Sequence, residues 1–350
     1  MTMNMTRRTA LASLGAALAA PAFVRRANAA EVTLKLHCML PAPAPMNSVF
    51  FAQWISDIET ASEGGIKIDL YPSMQLGGKP PQLADQVRQG ICDITWTLPV
   101  YTPDRFPVAE TLALPYMVTN AEKTSVVMHK LMDEFGQDEY RGTKTLAFHT
   151  HDGGKIHTRE GLIQTADDLK GLKLRAPNQA TGKMLENMGA ETVFFPVTDM
   201  VVGLSNGVID GCCLPYEVVP AFKLQELTKY TSAPAPAGRG LYANTFSLLM
   251  NERAYEGMPD DLRKAIDDHS GIGLSERIGK QFDAFEAKGK EVVVNNGNTI
   301  GEIAAEEIES WRELAAPVHD EWVQKLNDRG LDGAAILARA NELLDAGQAS

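Results

Sequence analysis

Between Asp168 and Pro215 the chain reads DLKGLKLRAPNQATGKMLENMGAETVFFPVTDMVVGLSNGVIDGCCLP, and no other stretch restricts the fold as much. An alternating segment ending near Arg175 predicts a short strand, and a helical pattern follows it. A second strand passes through Val193 to Phe195, another helix begins near Thr198, and an apolar run from Val208 reaches Leu214. Strands alternating with helices at this spacing call for an α/β sheet that is largely parallel. Arginine at the carboxyl end of such a strand stands where open α/β sheets place their ligands. Its planar fork matches a carboxylate through two parallel hydrogen bonds, which a lysine cannot reproduce. A surface ion pair is the plainer use of such a residue, so the rest of the chain has to decide.

The first 29 residues are set apart from the fold. Arg7 and Arg8 precede an Ala- and Leu-rich run from Thr9 to Ala22, and Ala27, Asn28 and Ala29 form a small-x-small cleavage pattern. Paired arginines before a mild apolar run predict a twin-arginine signal and a mature protein working in the periplasm. Removing that segment's four arginines, with no acidic residue, takes the formal charge from -12 to -16. So acidic a surface disfavours nucleic acid and anionic lipid as partners, and an anion site would need its own local cations. Cys38, Cys92, Cys212 and Cys213 follow no metal-binding spacing and read as small buried hydrophobes.

Along the chain, Val32–Cys38 alternates as a strand, and Phe51, Trp54, Ile55 and Ile58 form the apolar stripe of the next helix. IKIDLYP and ICDITWT predict two more strands with a helix between them. Trp96 and Tyr101, at and just beyond the end of the third strand, are candidates for a pocket wall, although aromatics there more often serve the core. TKTLAFHT returns as a strand. His149, His151 and His157 do not form a constellation of three ligands at structural-site spacing, so no metal is expected. A helix is expected from Phe222 to Tyr230, a crossing strand from Tyr242 to Met250, and one long helix over most of Asp260 to Lys288. Final helices are expected near Ala304–Leu326 and Ala334–Leu344. No nucleophile-base arrangement, dinucleotide motif or nucleophile elbow points to an enzyme.

DLKGLKLRAP, MGAETVFFPVTDMVVGLSNGVIDG and LYPSMQLGGKPPQLADQVRQGICDITWTLP, in that order, resemble the extracytoplasmic solute receptors of tripartite ATP-independent periplasmic (TRAP) transporters, of the dicarboxylate-binding type. The resemblance covers nearly the whole mature chain. It implies a two-domain α/β periplasmic binding protein with a hinged cleft and a long domain-spanning helix. It also implies delivery of a small organic anion to an ion-driven permease without ATP, and no cofactor. The division it suggests is 30–152 with 242–288, and 153–241 with 289–350. A monomer is expected.

Residue by residue, the resemblance puts the family's carboxylate clamp on Arg175. A second family arginine falls on Lys155, whose point charge grips less directionally. GCCLPYE replaces a polar family segment and, with Tyr216, Trp96 and Phe195, implies a pocket with a substantial apolar part. Asn178 and Asn244 are candidates to bond ligand oxygens, with a helix cap and an edge position as their plainer roles. Glu217 is expected in a structural ion pair, since ionised it would repel an anion. The ligand expected is a monocarboxylate with an apolar or aromatic body, such as a benzoate-like acid, with a short 2-oxo acid or a C4-dicarboxylate as alternatives.

Overall fold

A computed structural model describes residues 30–235 and 238–348. The expected export signal, 1–29, lies outside the described residues. The first lobe opens with β1 (Val32–Cys38), α1 (Ala52–Ala61), β2 (Ile66–Tyr71), α2 (Leu83–Gln89), β3 (Ile94–Thr97), α3 (Ala121–Phe135) and β4 (Thr143–Thr150). The chain then builds the second lobe from β5 (Lys155–Thr158), β6 (Lys173–Ala176), α4 (Gln179–Asn187), β7 (Glu191–Phe194), α5 (Met200–Ser205), β8 (Gly211–Leu214), α6 (Leu224–Leu227) and β9 (Tyr230–Pro234). It returns through β10 (Thr245–Asn251), α7 (Glu252–Glu256), α8 (Asp260–Asp267) and α9 (Ile272–Asn295), and ends with β11 (Thr299–Ile303), α10 (Ala305–Asn327) and α11 (Gly333–Gln348).

The strands form two sheets, ordered β2-β1-β3-β10-β4 and β11-β9-β5-β8-β6-β7. β1 pairs parallel with β2 and β3, whereas the returning β10 lies antiparallel between β3 and β4. In the second sheet β6 is parallel to both β7 and β8. Parallel strands send their carboxyl ends to one edge, where βα loops can meet a ligand. Here those edges of the two sheets face one cleft.

Helix α9 joins the lobes. Its Phe282 packs at 6.0 Å between ring centroids from Phe246 of β10. Near its other end, a Cβ at Gly289 would stand 2.1 Å from the Tyr216 carbonyl oxygen, so only glycine lets the helix approach the second lobe this closely. Between them, the Asp283 carboxylate accepts from the amides of Ala121 and Glu122 at 2.7 and 3.0 Å, satisfying donors that the start of α3 leaves open.

Three expectations change. The single helix over Asp260–Lys288 is two helices, because Gly271 takes a φ of +80° and α9 starts afresh after it. The helix expected to reach Tyr230 stops at Leu227, and Tyr230–Pro234 is a strand held between β5 and β11. The tail, expected wholly with the second lobe, serves both. Trp311 and Ala315 of α10 pack with Leu174, Leu185 and Met188, while Ile336, Ala340 and Leu344 of α11 pack with Val127, Met128 and Leu131 of α3.

The interior also holds ionisable groups that give stability a definite pH dependence. Burial lowers His149 and His151 to about 3 and raises Glu110 to about 8. A buried neutral histidine loses stability as pH falls below the unfolded value of ~6.5, because the unfolded chain takes the proton first. A carboxyl raised in the folded state works oppositely, losing stability as pH climbs from its unfolded value toward its folded one. From about pH 6.5 to about 8 only the carboxyls still act. The melting temperature is therefore expected to fall across that interval, and Glu110→Gln to flatten the fall. A melting temperature that is level or rising in wild-type protein would contradict this.

Candidate functional site

Arg175 sits near the end of β6 with 1% of its surface exposed. Its Nε donates to the Phe195 carbonyl at 3.0 Å and Nη1 to the Cys213 carbonyl at 3.4 Å. Among the described residues no carboxylate forms an ion pair with it. Taking a guanidinium out of water without a counter-ion is costly, and two carbonyls offset only part of that cost. A ligand carboxylate would supply the missing charge.

A narrow cavity, only partly enclosed, opens beside it. Trp96, Tyr101, Arg175 and Asn244 all line it. Trp96 stacks on Phe246 at 4.7 Å and 10°, and Phe246 stacks on His149 at 4.6 Å and 6°. The indole Nε1 donates to His149 Nε2 at 2.7 Å, so the tryptophan's one polar edge is satisfied away from the cavity. Tyr101 is locked similarly, its hydroxyl accepting from the Val197 amide at 3.0 Å. Met39, Leu40, Leu98, Val197, Leu214 and Val218 complete an apolar wall.

His151 and Asn244 form the polar part of the lining. His151 Nε2 accepts from the Asn244 amide at 2.9 Å, while Nδ1 bonds the Asp152 carbonyl. Both ring nitrogens are thus committed and the imidazole is neutral, its pKa lowered to about 3 by burial. The Asn244 side-chain oxygen accepts from Asn178 Nδ2 at 3.0 Å, which leaves the side-chain Nδ2 of Asn244 available to a ligand oxygen.

Other sequence candidates lie elsewhere. The Lys155 ammonium is paired with Glu286 of α9 and stands 3.7 Å from Asp152, in a polar cavity of the hinge region instead of the cleft. Tyr216 follows it, with the Lys155 ammonium 5.1 Å from its ring. Phe195 contributes its carbonyl to Arg175, and its ring packs against Gly203. Asn178 caps α4 by accepting from the Thr181 amide at 2.7 Å and does not line the cleft. Among the described residues Glu217 makes no ion pair; it lines the cavity with 8% exposure, and its amide donates to Glu286 at 2.9 Å. The sequence reading also missed Phe246 as a wall residue, although its place two residues beyond Asn244 on the returning strand puts both on one face.

Two α/β lobes joined by crossing strands and a long helix, with a buried arginine facing an aromatic-walled cleft, define a binding protein for a small organic anion. Residues 40–326 match the DctP family, bacterial extracellular solute-binding protein, family 7, and the chain belongs to that family of TRAP receptors. It is similar to a TRAP solute-binding protein from Rhodoferax ferrireducens crystallised with copurified benzoate, at 41% identity and a TM-score of 0.88, covering 90% of this chain and 98% of that one. A marine metagenome TRAP protein specific for aromatic acids, crystallised with 3-hydroxybenzoate, is 40% identical with a TM-score of 0.89, covering 91% and 99%. The C4-dicarboxylate-binding periplasmic protein of Rhodobacter capsulatus is 24% identical over 97% of this chain and 100% of its own. The protein is a periplasmic transport component that binds a small organic anion and works with TRAP membrane permease subunits; it is not an enzyme.

Proposed function

We propose that this receptor captures a monocarboxylate with an aromatic body, its carboxylate on Arg175 and its ring against Trp96 and Tyr101, with Asn244 bonding a carboxylate oxygen. The observation that carries this is a guanidinium that is 1% exposed and has no counter-ion among the described residues, set in an aromatic and aliphatic wall. Lys155 is held by Glu286, so the cleft offers one cation and favours a monoacid over a diacid. The two relatives at about 40% identity, crystallised with benzoate and 3-hydroxybenzoate, support the aromatic class. We place the lobe boundaries near Gly153 and Tyr242, with a third crossing near Gly289 on α9. Closure about them would strengthen the carboxylate pair by excluding water.

The test is a thermal-shift screen of ligand-stripped protein against aromatic acids, 2-oxo acids and C4-diacids, since a ligand that binds only the folded state raises its stability. Aromatic monoacids are expected to give the largest shifts. Trp96→Ala is expected to weaken benzoate about tenfold or more while changing pyruvate by less than about threefold, in keeping with the worth of one buried aromatic contact. A shift confined to diacids, or equal losses for benzoate and pyruvate, would overturn the reading.

A further inference from the structure

The cleft contains a second ionisable group that capture of a monocarboxylate does not use. Glu217 belongs to the 3-10 turn Tyr216–Val218 and lines the same cavity as Arg175, yet no ion pair joins them. The turn is pinned from outside: the Glu217 amide donates to Glu286, which is held in turn by Lys155. The carboxyl itself has no hydrogen-bond or ion-pair partner among the described residues, although the residue is only 8% exposed. With no such partner, the carboxyl opens onto the cavity it lines, where a ligand that covers it must supply a hydrogen bond or leave it unpaired.

The groups around it define what it can accept. Glu286 approaches from α9, Arg175 lies on β6, and the neutral His151 closes the end of β4. Burial and the nearby Glu286 raise the Glu217 pKa to about 8. Near neutral pH the group therefore carries a proton, does not repel an incoming carboxylate, and can both donate and accept a hydrogen bond. Among ring substituents, a hydroxyl answers a group of that kind in either direction.

Resting on the aromatic-acid reading above, we propose that Glu217 reads a hydroxyl group on the ligand's ring, so that the preferred ligands are hydroxylated aromatic acids. Arg175 then fixes the carboxylate end and Glu217 the substituted end, and an unsubstituted ring leaves a buried polar group unpaired. Sites built to bond a ligand hydroxyl discriminate against analogues lacking it more strongly than apolar pockets discriminate by size.

The experiment is calorimetric titration of ligand-stripped wild type, Glu217→Gln and Glu217→Leu with benzoate, 3-hydroxybenzoate, 4-hydroxybenzoate and 3-methoxybenzoate. Wild type is expected to bind at least one hydroxybenzoate about tenfold or more tighter than benzoate, with the methoxy analogue losing that advantage. Glu217→Leu is expected to bring the preference within about twofold, with benzoate bound at least as tightly as by wild type because no carboxyl is left unpaired, and Glu217→Gln to keep most of the preference. A wild type that binds all four equally, or a Glu217→Leu variant that keeps the hydroxyl preference, overturns the proposal and leaves the aromatic-acid reading standing. A folded wild type that binds none of the four overturns both.

Discussion

Arg175→Ala is expected to weaken benzoate binding by about 100-fold or more while the protein still folds. The size follows from truncating one partner of a buried, hydrogen-bonded charge pair, which costs about 2–5 kcal/mol, most of it expressed in the dissociation rate. Bare Coulomb attraction at ~4 Å with an effective dielectric near 20 is about 4 kcal/mol, of the same order. Folding should survive because the guanidinium has no counter-ion to strand among the described residues; its loss frees only the carbonyls of Phe195 and Cys213. Arg175→Met, which keeps much of the volume, is expected to melt within a few degrees of the empty wild type while binding as poorly as the alanine variant. Calorimetry and thermal melting together separate this from a structural arginine. A large fall in melting temperature with little change in affinity would assign Arg175 to the fold.

Lys155→Ala is expected to behave in the opposite way, with a large loss of stability and a small direct effect on the ligand. Burial alone would lower the lysine's pKa, but Glu286 and Asp152 raise it above its ordinary value, so it stays charged. Glu286 is itself 6% exposed and accepts from the Glu217 amide, tying β5, α9 and the turn Tyr216–Val218 together. Removing the lysine strands a buried carboxylate, which typically costs about 3–5 kcal/mol. Replacing both members, as in Lys155→Met with Glu286→Leu, is expected to recover much of that loss, because an apolar pair avoids the desolvation of two charges. Denaturant unfolding of the two single variants and the double variant measures the coupling. Additive effects would show that the pair does not act as a unit.

The contrast between these two residues marks what could be read from the sequence. Arg175 was legible because a strand end is a local feature and the parallel arrangement of β6 with its neighbours places that end at the cleft. Trp96 and Tyr101 were legible for the same reason, at and beyond the end of β3. Lys155 was misplaced because its partner, Glu286, lies 131 residues away on a helix whose approach depends on Gly289. Glu217 was misjudged because an ion pair was the cheapest way to bury a carboxylate, whereas burial beside Glu286 makes the neutral acid the favoured form. The break in the long helix turned on the left-handed backbone of Gly271, and in a helical pattern a glycine need not break the helix. Strand β9 was hidden by its Pro- and Ala-rich continuation, although Thr231 and Ser232 pair with strands on both sides. Sheet membership there is decided by β5 and β11, which are distant in sequence.

In a crystal structure of the mature protein grown with benzoate, the benzoate carboxylate is expected within hydrogen-bond distance of the Arg175 guanidinium, with its ring against Trp96 and Tyr101 and Lys155 still paired with Glu286. A ring bound elsewhere, or a carboxylate held by Lys155 with Arg175 left facing only the carbonyls of Phe195 and Cys213, would contradict it.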